Sequence, residues 1–497
     1  MFRFHPLPDG EPAYGGYSVT LNGKPAPLAV ARVSAMPYNT VWPGRQRPLD
    51  QTELLGFASF EADEEVTVAV TYGKPVKKAV VRPLSKGVKA KIDGNVVTFT
   101  LRTPGQYFCE ADGYHNALSL FFDPVTHYES RATGKILRYP AGIHRIGNVM
   151  LESDTTVILE DGAYIYGSFT AICAENVRIF GHGVIDGSSE ERFTGCKMFP
   201  PYDFHYRMPD SKEGILNFLK EKKVLNGLVR FYRCRNCELN GPILRDSATF
   251  CVIPAACDNI VIDRIKLIGM WRYNSDGVDV FNSANIVLRN SFLRNFDDCV
   301  VLKGIKGWDE RNLENILVEN CVVWCDWGRN LEIGAETNAP EYRNIIFRNC
   351  DNIHGDLILL DLHHHNRAEI HHLLFEDIRC EFEERHLPNT YQHDMNAPFD
   401  WNQKTVQPQL IAMPIYDDGM FSDDGLNGSI HDIVYKDIKI LNETDSMPKP
   451  VIFMKGLDEN HLVEHIRFEN MTINGKPAKE SDFEVVSDKF VRDVIFK

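Results

Sequence analysis

The chain is poor in what most membrane and nucleic-acid partners require. No apolar run approaches the 18 residues or so that a membrane helix needs, so no membrane span is expected. Basic residues are outnumbered, 54 Lys+Arg against 69 Asp+Glu, for a formal net charge of -15. A surface of that sign argues against nucleic acid or an anionic membrane as partner, and more mildly against a polyanionic substrate. The opening residues Met1-Phe2-Arg3-Phe4-His5-Pro6 lack the charged-then-apolar pattern of a secretory signal, which leads to an expected cytoplasmic location. Paired metal-binding cysteines are also missing. The twelve cysteines are scattered, and Cys234-Arg-Asn-Cys237 has no matching second pair, so neither a metal nor another cofactor is expected. Several, among them Cys237, Cys299, Cys321 and Cys350, recur inside repeat-like segments and read as small apolar side chains stacked in a core.

What is present is β structure in two styles. Residues 1–125 carry short alternating strands such as 65–72, 80–83 and 95–101, with a turn at Asp93-Gly94. This reads as antiparallel hairpins forming a small β-sandwich. Within 126–497 one motif repeats: a polar residue, often Asn, then alternating β-branched residues, then Asn or Gly. It starts at Asn176, Asn259, Asn285, Asn315 and Asn344, with looser copies at His372, Asp432 and His465. Spacings near 30 residues signal a stacked solenoid. A leucine-dominated consensus and helical stretches between strands are both absent, which favours a right-handed parallel β-helix, all-β, over a leucine-rich repeat. Two segments break the period. Residues 188–225 contain an expected helix over 211–224, with Asp210 and Glu213 placed as a capping box. Residues 385–430 carry Tyr391, His393, Asp394, Phe399, Asp400, Trp401 and Tyr416 without alternation. Such insertions wall clefts or cap surfaces.

The chemistry concentrates in Asn274-Ser275-Asp276-Gly277-Val278-Asp279, followed by Asp297-Asp298-Cys299-Val300. Spacings of 21 and 22 residues suit one solenoid coil, so Asp276, Asp297 and Asp298 are expected to share one patch. Hydrolysis of a glycosidic bond needs one acid for the leaving oxygen and one base for water. Crowded carboxylates cannot all ionise cheaply, so one should stay protonated near neutral pH. Neighbouring strand residues point to opposite faces, so Asp297 and Asp298 can both reach a cleft only where the chain bends.

These motifs resemble glycoside hydrolase family 28, the polygalacturonase-like pectinases. The lead-in Tyr139-Pro-Ala-Gly-Ile-His144 through Gly162-Ala163, and Gly181-His-Gly-Val-Ile-Asp-Gly187, are similar as well, so the resemblance spans about residues 136–365. The sandwich-plus-helix layout is also similar to family 49, the dextranases and isopullulanases. The resemblance implies a pectin-lyase-like β-helix and an inverting hydrolase. Asp297 would be the general acid, and Asp276 and Asp298 the carboxylates that hold and activate water.

The departures bear on substrate. Gly328-Arg329-Asn330-Leu331-Glu332-Ile333-Gly334 stands where the family has Gly-His-Gly-Leu-Ser-Ile-Gly. Asp361-Leu362-His363-His364-His365 stands where the family's carboxylate-binding Arg-Ile-Lys should be. Plain polygalacturonan is therefore not the expected substrate; a neutral or differently decorated glycan is. Lys303 is placed to tune the aspartates. Arg329 is read either as a clamp on a carboxylate or sugar, or as an ion-pair partner of Glu332 or Glu336. Glu332, Glu336, Asp361, His363 and Trp401 are candidate substrate contacts, and Trp308, Trp324 and Trp327 serve either stacking or packing. A lyase or epimerase on the same scaffold and a non-catalytic glycan-binding solenoid are the competing readings. Self-association is left open.

Overall fold

The computed structural model describes residues 1–35, 49–190, 208–222, 227–308, 311–383, 408–419, 421, 425–444 and 446–497. Strands Phe2–Phe4, Ala29–Ser34, Thr52–Ala62, Ala79–Arg82, Gly105–Ala111 and Leu118–Asp123 form one sheet. Tyr17–Leu21, Lys24–Pro25, Val66–Tyr72, Lys91–Asp93 and Val96–Leu101 form a second. Alternate residues of Val66–Tyr72 (Val66, Val68, Val70, Tyr72) are buried, and with Phe60, Phe99 and Leu120 they fill the space between the sheets. Asp93 pairs with Val96 across Gly94, whose φ of 60° suits the tight hairpin.

From Lys135 onward the chain winds into a parallel β-helix with sheets of 12 and 21 strands. One ladder runs Ile260, Ile286, Ile316, Ile345, Leu373, Ile433, Ile466, Val494, each paired in register with the next. Inward side chains from these rows make one continuous apolar core, which also takes in Cys237, Cys299, Cys321 and Cys350. The described cysteines are all free thiols.

The repeating Asn has a backbone cause. Asn259, Asn285, Asn315 and Asn344 all have φ between 54° and 57°, the left-handed region that Asn tolerates better than other side-chain-bearing residues. Their amides then stack from coil to coil: Asn315 donates to Asn285 at 3.1 Å and Asn344 to Asn315 at 3.3 Å. A second ladder closes the motif, with Asn320 donating to Asn290 and Asn349 to Asn320.

The helix in the first insertion covers Lys212–Lys222. Its cap differs from expectation. Ser211 Oγ accepts the Gly214 N–H at 3.1 Å, while Asp210 pairs with Arg233 at 2.8 Å. The serine sits one residue closer to the first helical turn, within reach of its open amides, and leaves the aspartate to a long basic side chain.

The sandwich packs on the solenoid through Ala31, Phe57, Phe108 and Phe121, which meet Tyr164, Ile243, Phe292 and Trp324 in one shared cluster. Among the described residues no helix is long and apolar enough to cross a membrane.

Candidate active site

The aspartates come together because consecutive coils are in register. Val278 pairs with Val300 and Val300 with Leu331, so Asp276, Asp298 and Arg329 occupy equivalent places on three successive coils. Asp297 and Asp298 fall between strands Phe292–Asn295 and Val300–Gly304, where the backbone bends. That bend turns both side chains to one side, as the sequence required.

Gly328 makes the crowding possible. A methyl group there would lie 2.5 Å from Asp298 Oδ1 and 2.7 Å from Asp297 Oδ1. The two carboxylates therefore converge on the bare Cα of the next coil. Asp276, Asp297 and Asp298 keep only 1%, 4% and 6% of their surface. Half-buried Tyr273, Trp327, Arg329, Glu336 and His363 form the more open rim.

Each aspartate has different partners. Lys303 Nζ donates to Asp276 Oδ2 at 2.8 Å and lies 3.1 Å from Asp279 Oδ1. Asn274 donates to Asp297 Oδ2 at 3.3 Å. Asp298 Oδ1 accepts the Arg329 backbone N–H at 3.0 Å, and the Arg329 guanidinium stands 3.7 Å away. The consequences for ionisation diverge. Burial, then the charges of Asp276 and Asp298, hold Asp297 well above the usual carboxylate range. Burial also pushes Asp298 upward, but Arg329 and Lys303 outweigh it and hold that carboxyl below its ordinary value. Asp276 is pushed up to about 7 by burial, with Lys303 opposing and Asp298 adding to the rise. Two adjacent residues thus favour opposite protonation states, which is the division of labour an acid and a base need.

The remaining candidates fall into three groups. Arg329 is the hub of the coil beyond the trio. Its Nε lies 3.3 Å from Asp361 Oδ2 and 3.8 Å from Glu332 Oε1, and its Nη2 is 3.3 Å from His363 Nδ1. Glu332 is in register with Asp361 and is held well above its usual range by burial, then by the Asp298 charge. The charge of Glu336 instead acts on Lys303 and Asp276. His363 and His365 stack 4.8 Å apart with Tyr416 against both, whereas His364 points inward to Thr337.

Trp308 and Trp324 are core residues, 1% and 0% exposed, and Trp324 lies under the Arg294 guanidinium at 3.7 Å. Trp327 stacks on Phe296, the residue before Asp297, and lies near Tyr273. Trp401, with Tyr391, His393, Asp394, Phe399 and Asp400, lies outside the described residues.

Asn274, Asp279 and Gly328 also take part in the site, although the sequence alone does not single them out. Asn274 and Asp279 stood inside the motif already singled out, and Gly328 opened the next one. Their roles rest on contacts between coils, which no linear spacing displays. The Glu332–Asp361–His363 group offers ligand atoms within 4.8 Å of one another, but the Arg329 guanidinium supplies positive charge to both carboxylates there.

Comparison with known proteins bears on the fold and on the segment that carries these residues. Residues 136–355 match the model of glycosyl hydrolases family 28. An exopolygalacturonase of Cochliobolus carbonum is 24% identical over 191 residues, 37% of this chain and 36% of that protein. An exo-poly-alpha-D-galacturonosidase of Dickeya chrysanthemi is 24% identical over 284 residues, 46% and 47% of the two chains. The match thus spans between a third and a half of these relatives. Among solved structures, an exopolygalacturonase of Thermotoga maritima superposes with a TM-score of 0.52 at 19% identity, covering 74% of this chain and 85% of that one. Dex49A of Penicillium minioluteum gives 0.59 at 13% identity, covering 99% and 96%. Both the solenoid and the appended sandwich are thereby shared folds, and the segment that carries the aspartate trio matches glycosyl hydrolase family 28.

Proposed function

We propose that the chain is a glycoside hydrolase in which Asp297 protonates the leaving glycosidic oxygen and Asp298 activates water. The carrying observation is the opposed ionisation of these neighbours, Asp297 held up by burial and carboxylate charge, Asp298 held down by Arg329 and Lys303. Asp276, bonded to Lys303, lies close enough to both to raise Asp297 further and to help hold the water. No step of this chemistry calls for a cofactor.

The reading of the substrate is a neutral or differently decorated glycan, not plain polygalacturonan. Lys303 is engaged by Asp276 and Asp279, and Arg329 by Asp298, Asp361 and Glu332. Both cations beside the trio therefore answer protein carboxylates. A uronate carboxylate would meet a net acidic wall, at a cost that low local dielectric magnifies. The exopolygalacturonases among the relatives set the alternative. Release of reducing sugar from neutral α-linked oligosaccharides, with none from oligogalacturonate, is the expected outcome; the reverse preference would overturn the substrate reading.

Stereochemistry is proposed as inverting, and one observation favours a second reading. With both Oδ1 atoms close to one point at Gly328, they lie within about 5 Å of each other, nearer a retaining pair than the ~6.5–9.5 Å of an inverting one. In the inverting reading Asp276 and Asp298 share the water on the far face of the sugar. In the retaining reading Asp298 is the nucleophile. NMR of the first-formed product decides: an inverted anomer supports the water mechanism, and a retained one overturns it.

A further inference from the structure

Asn295 is wholly buried at the end of strand Phe292–Asn295, two residues before Asp297. Its side chain reaches back one coil. Nδ2 donates to the Ser275 carbonyl at 3.1 Å, the carbonyl immediately before Asp276. A carbonyl only accepts, so this contact fixes which end of the amide carries the N–H. The other end, Oδ1, is buried with no hydrogen-bond partner among the described residues. It lies against Gly277, where a methyl group would come within 2.9 Å of it. The amide therefore bridges the residues on either side of Asp276.

The two turns that carry the carboxylates are held differently. The Asp297 turn is fixed along its length. The carbonyls of Asn295, Phe296 and Asp298 accept the N–H groups of Asp326, Gly328 and Gly277 at 2.8, 3.1 and 2.8 Å. The Asp297 carbonyl accepts the Cys325 thiol at 3.3 Å. In the Asp276 turn, the Asp276 carbonyl takes the Cys251 N–H at 2.9 Å, from the preceding coil. Toward Asp297 the turn is tied on both sides of Asp276. The Gly277 N–H on the Asp298 carbonyl holds it from behind, and the Asn295 amide on the Ser275 carbonyl holds it from ahead.

A half-answered buried amide is a poor choice for stability alone. Leaving Oδ1 unpaired costs more than one N–H to carbonyl bond returns, and an apolar side chain of similar shape would avoid that cost. We infer that Asn295 is a positioning residue, clamping the Asp276 turn to the Asp297 turn so that the three carboxylates keep their spacing. What it positions rests on the hydrolase reading; that it clamps does not. Asp276 is one of the charges that keep Asp297 protonated, so its distance from Asp297 sets the readiness of the acid.

The test follows Asp297 in two ways in the full chain. Carboxyl NMR of aspartate-labelled protein reads its titration, with Asp297→Asn assigning the signal. Initial rates on maltohexaose and isomaltohexaose read turnover. Asn295→Leu removes the donor, so Asp297 should titrate at lower pH than in the parent. With it kcat should fall about tenfold and KM change little, because a small displacement of reacting groups is costly. Asn295→Asp can donate to the Ser275 carbonyl only while protonated. It should recover turnover on the acid side of the profile and lose it as pH rises, a recovery Asn295→Leu should not show. Should Asn295→Leu fail to fold, Asn295→Ala takes its place. A folded variant in which Asp297 titrates as in the parent would overturn the clamp. So would an Asn295→Asp protein as impaired in acid as Asn295→Leu. A shifted titration in a chain whose parent cleaves neither oligosaccharide would leave the clamp standing and count against the hydrolase reading instead.

Discussion

At the residue scale the site is a contest between burial and neighbouring charge. Asp298 must be ionised to act, so activity should fall as acid protonates it; its lowered pKa places that limb below the ordinary carboxylate range. Asp297 must be protonated, so activity should fall again as rising pH passes its raised pKa. The expected kcat/KM profile is a bell with an alkaline limb far above that of a free carboxyl. Asp276, pushed up to about 7, titrates within that bell. Lys303→Met removes the cation that holds Asp276 down, so any inflection owed to Asp276 should move to higher pH. A profile unchanged in that variant would sever Lys303 from the chemistry. Gly328→Ala is the sharper steric test. Its methyl would press on the oxygens of both Asp297 and Asp298. Turnover should drop by about tenfold or more, since small displacements of reacting groups are costly.

At the scale of the element, the Asn ladders are what the repeat in the sequence was reporting. Asn315 holds φ at 57° and donates its amide to Asn285 one coil away. Asn315→Ala should cost about 1–2 kcal/mol in urea unfolding, chiefly from the left-handed backbone. Asn315→Gly should cost less, because it accepts that conformation and loses only the amide. Equal losses would show that the side-chain ladder, not the backbone, sets the price. This explains why the solenoid was legible. An αL turn and a β-branched row each restrict composition, so Asn259-Ile-Val-Ile and its copies announce themselves. The active site was legible in part for a similar reason, since a coil of 22 residues stacks Asp276 on Asp298. What stayed hidden depends on contact across coils. Glu332 and Glu336 look alike in sequence, yet one stands beside Arg329 and the charge of the other acts on Lys303. Trp324 and Trp327 are three residues apart, yet one is fully buried under Arg294 and the other stacks on Phe296, the residue before Asp297. The cap of the Lys212–Lys222 helix is Ser211 and not the expected Asp210, because Asp and Ser are nearly equal caps and only geometry chooses.

For the molecule as a whole, the sandwich and solenoid share an apolar seam. Phe108 packs 4.3 Å from Phe292, ring centre to ring centre, and also meets Trp324. Phe108→Ala should lower unfolding free energy by about 3–5 kcal/mol. If the two units unfold together, a single transition should move; two separated transitions would show that they are energetically independent. Asp297 and Asp298 lie on the solenoid side of that seam, so such a loss should lower the melting temperature without changing the shape of the pH profile. The central claim concerns those two residues, and leaving-group dependence tests it most directly. Asp297→Asn should abolish cleavage of a natural glycoside but spare an aryl glycoside whose leaving group needs no proton, while Asp298→Asn should fail on both. Equal losses on the two substrates in the Asp297 variant would contradict its role as the acid.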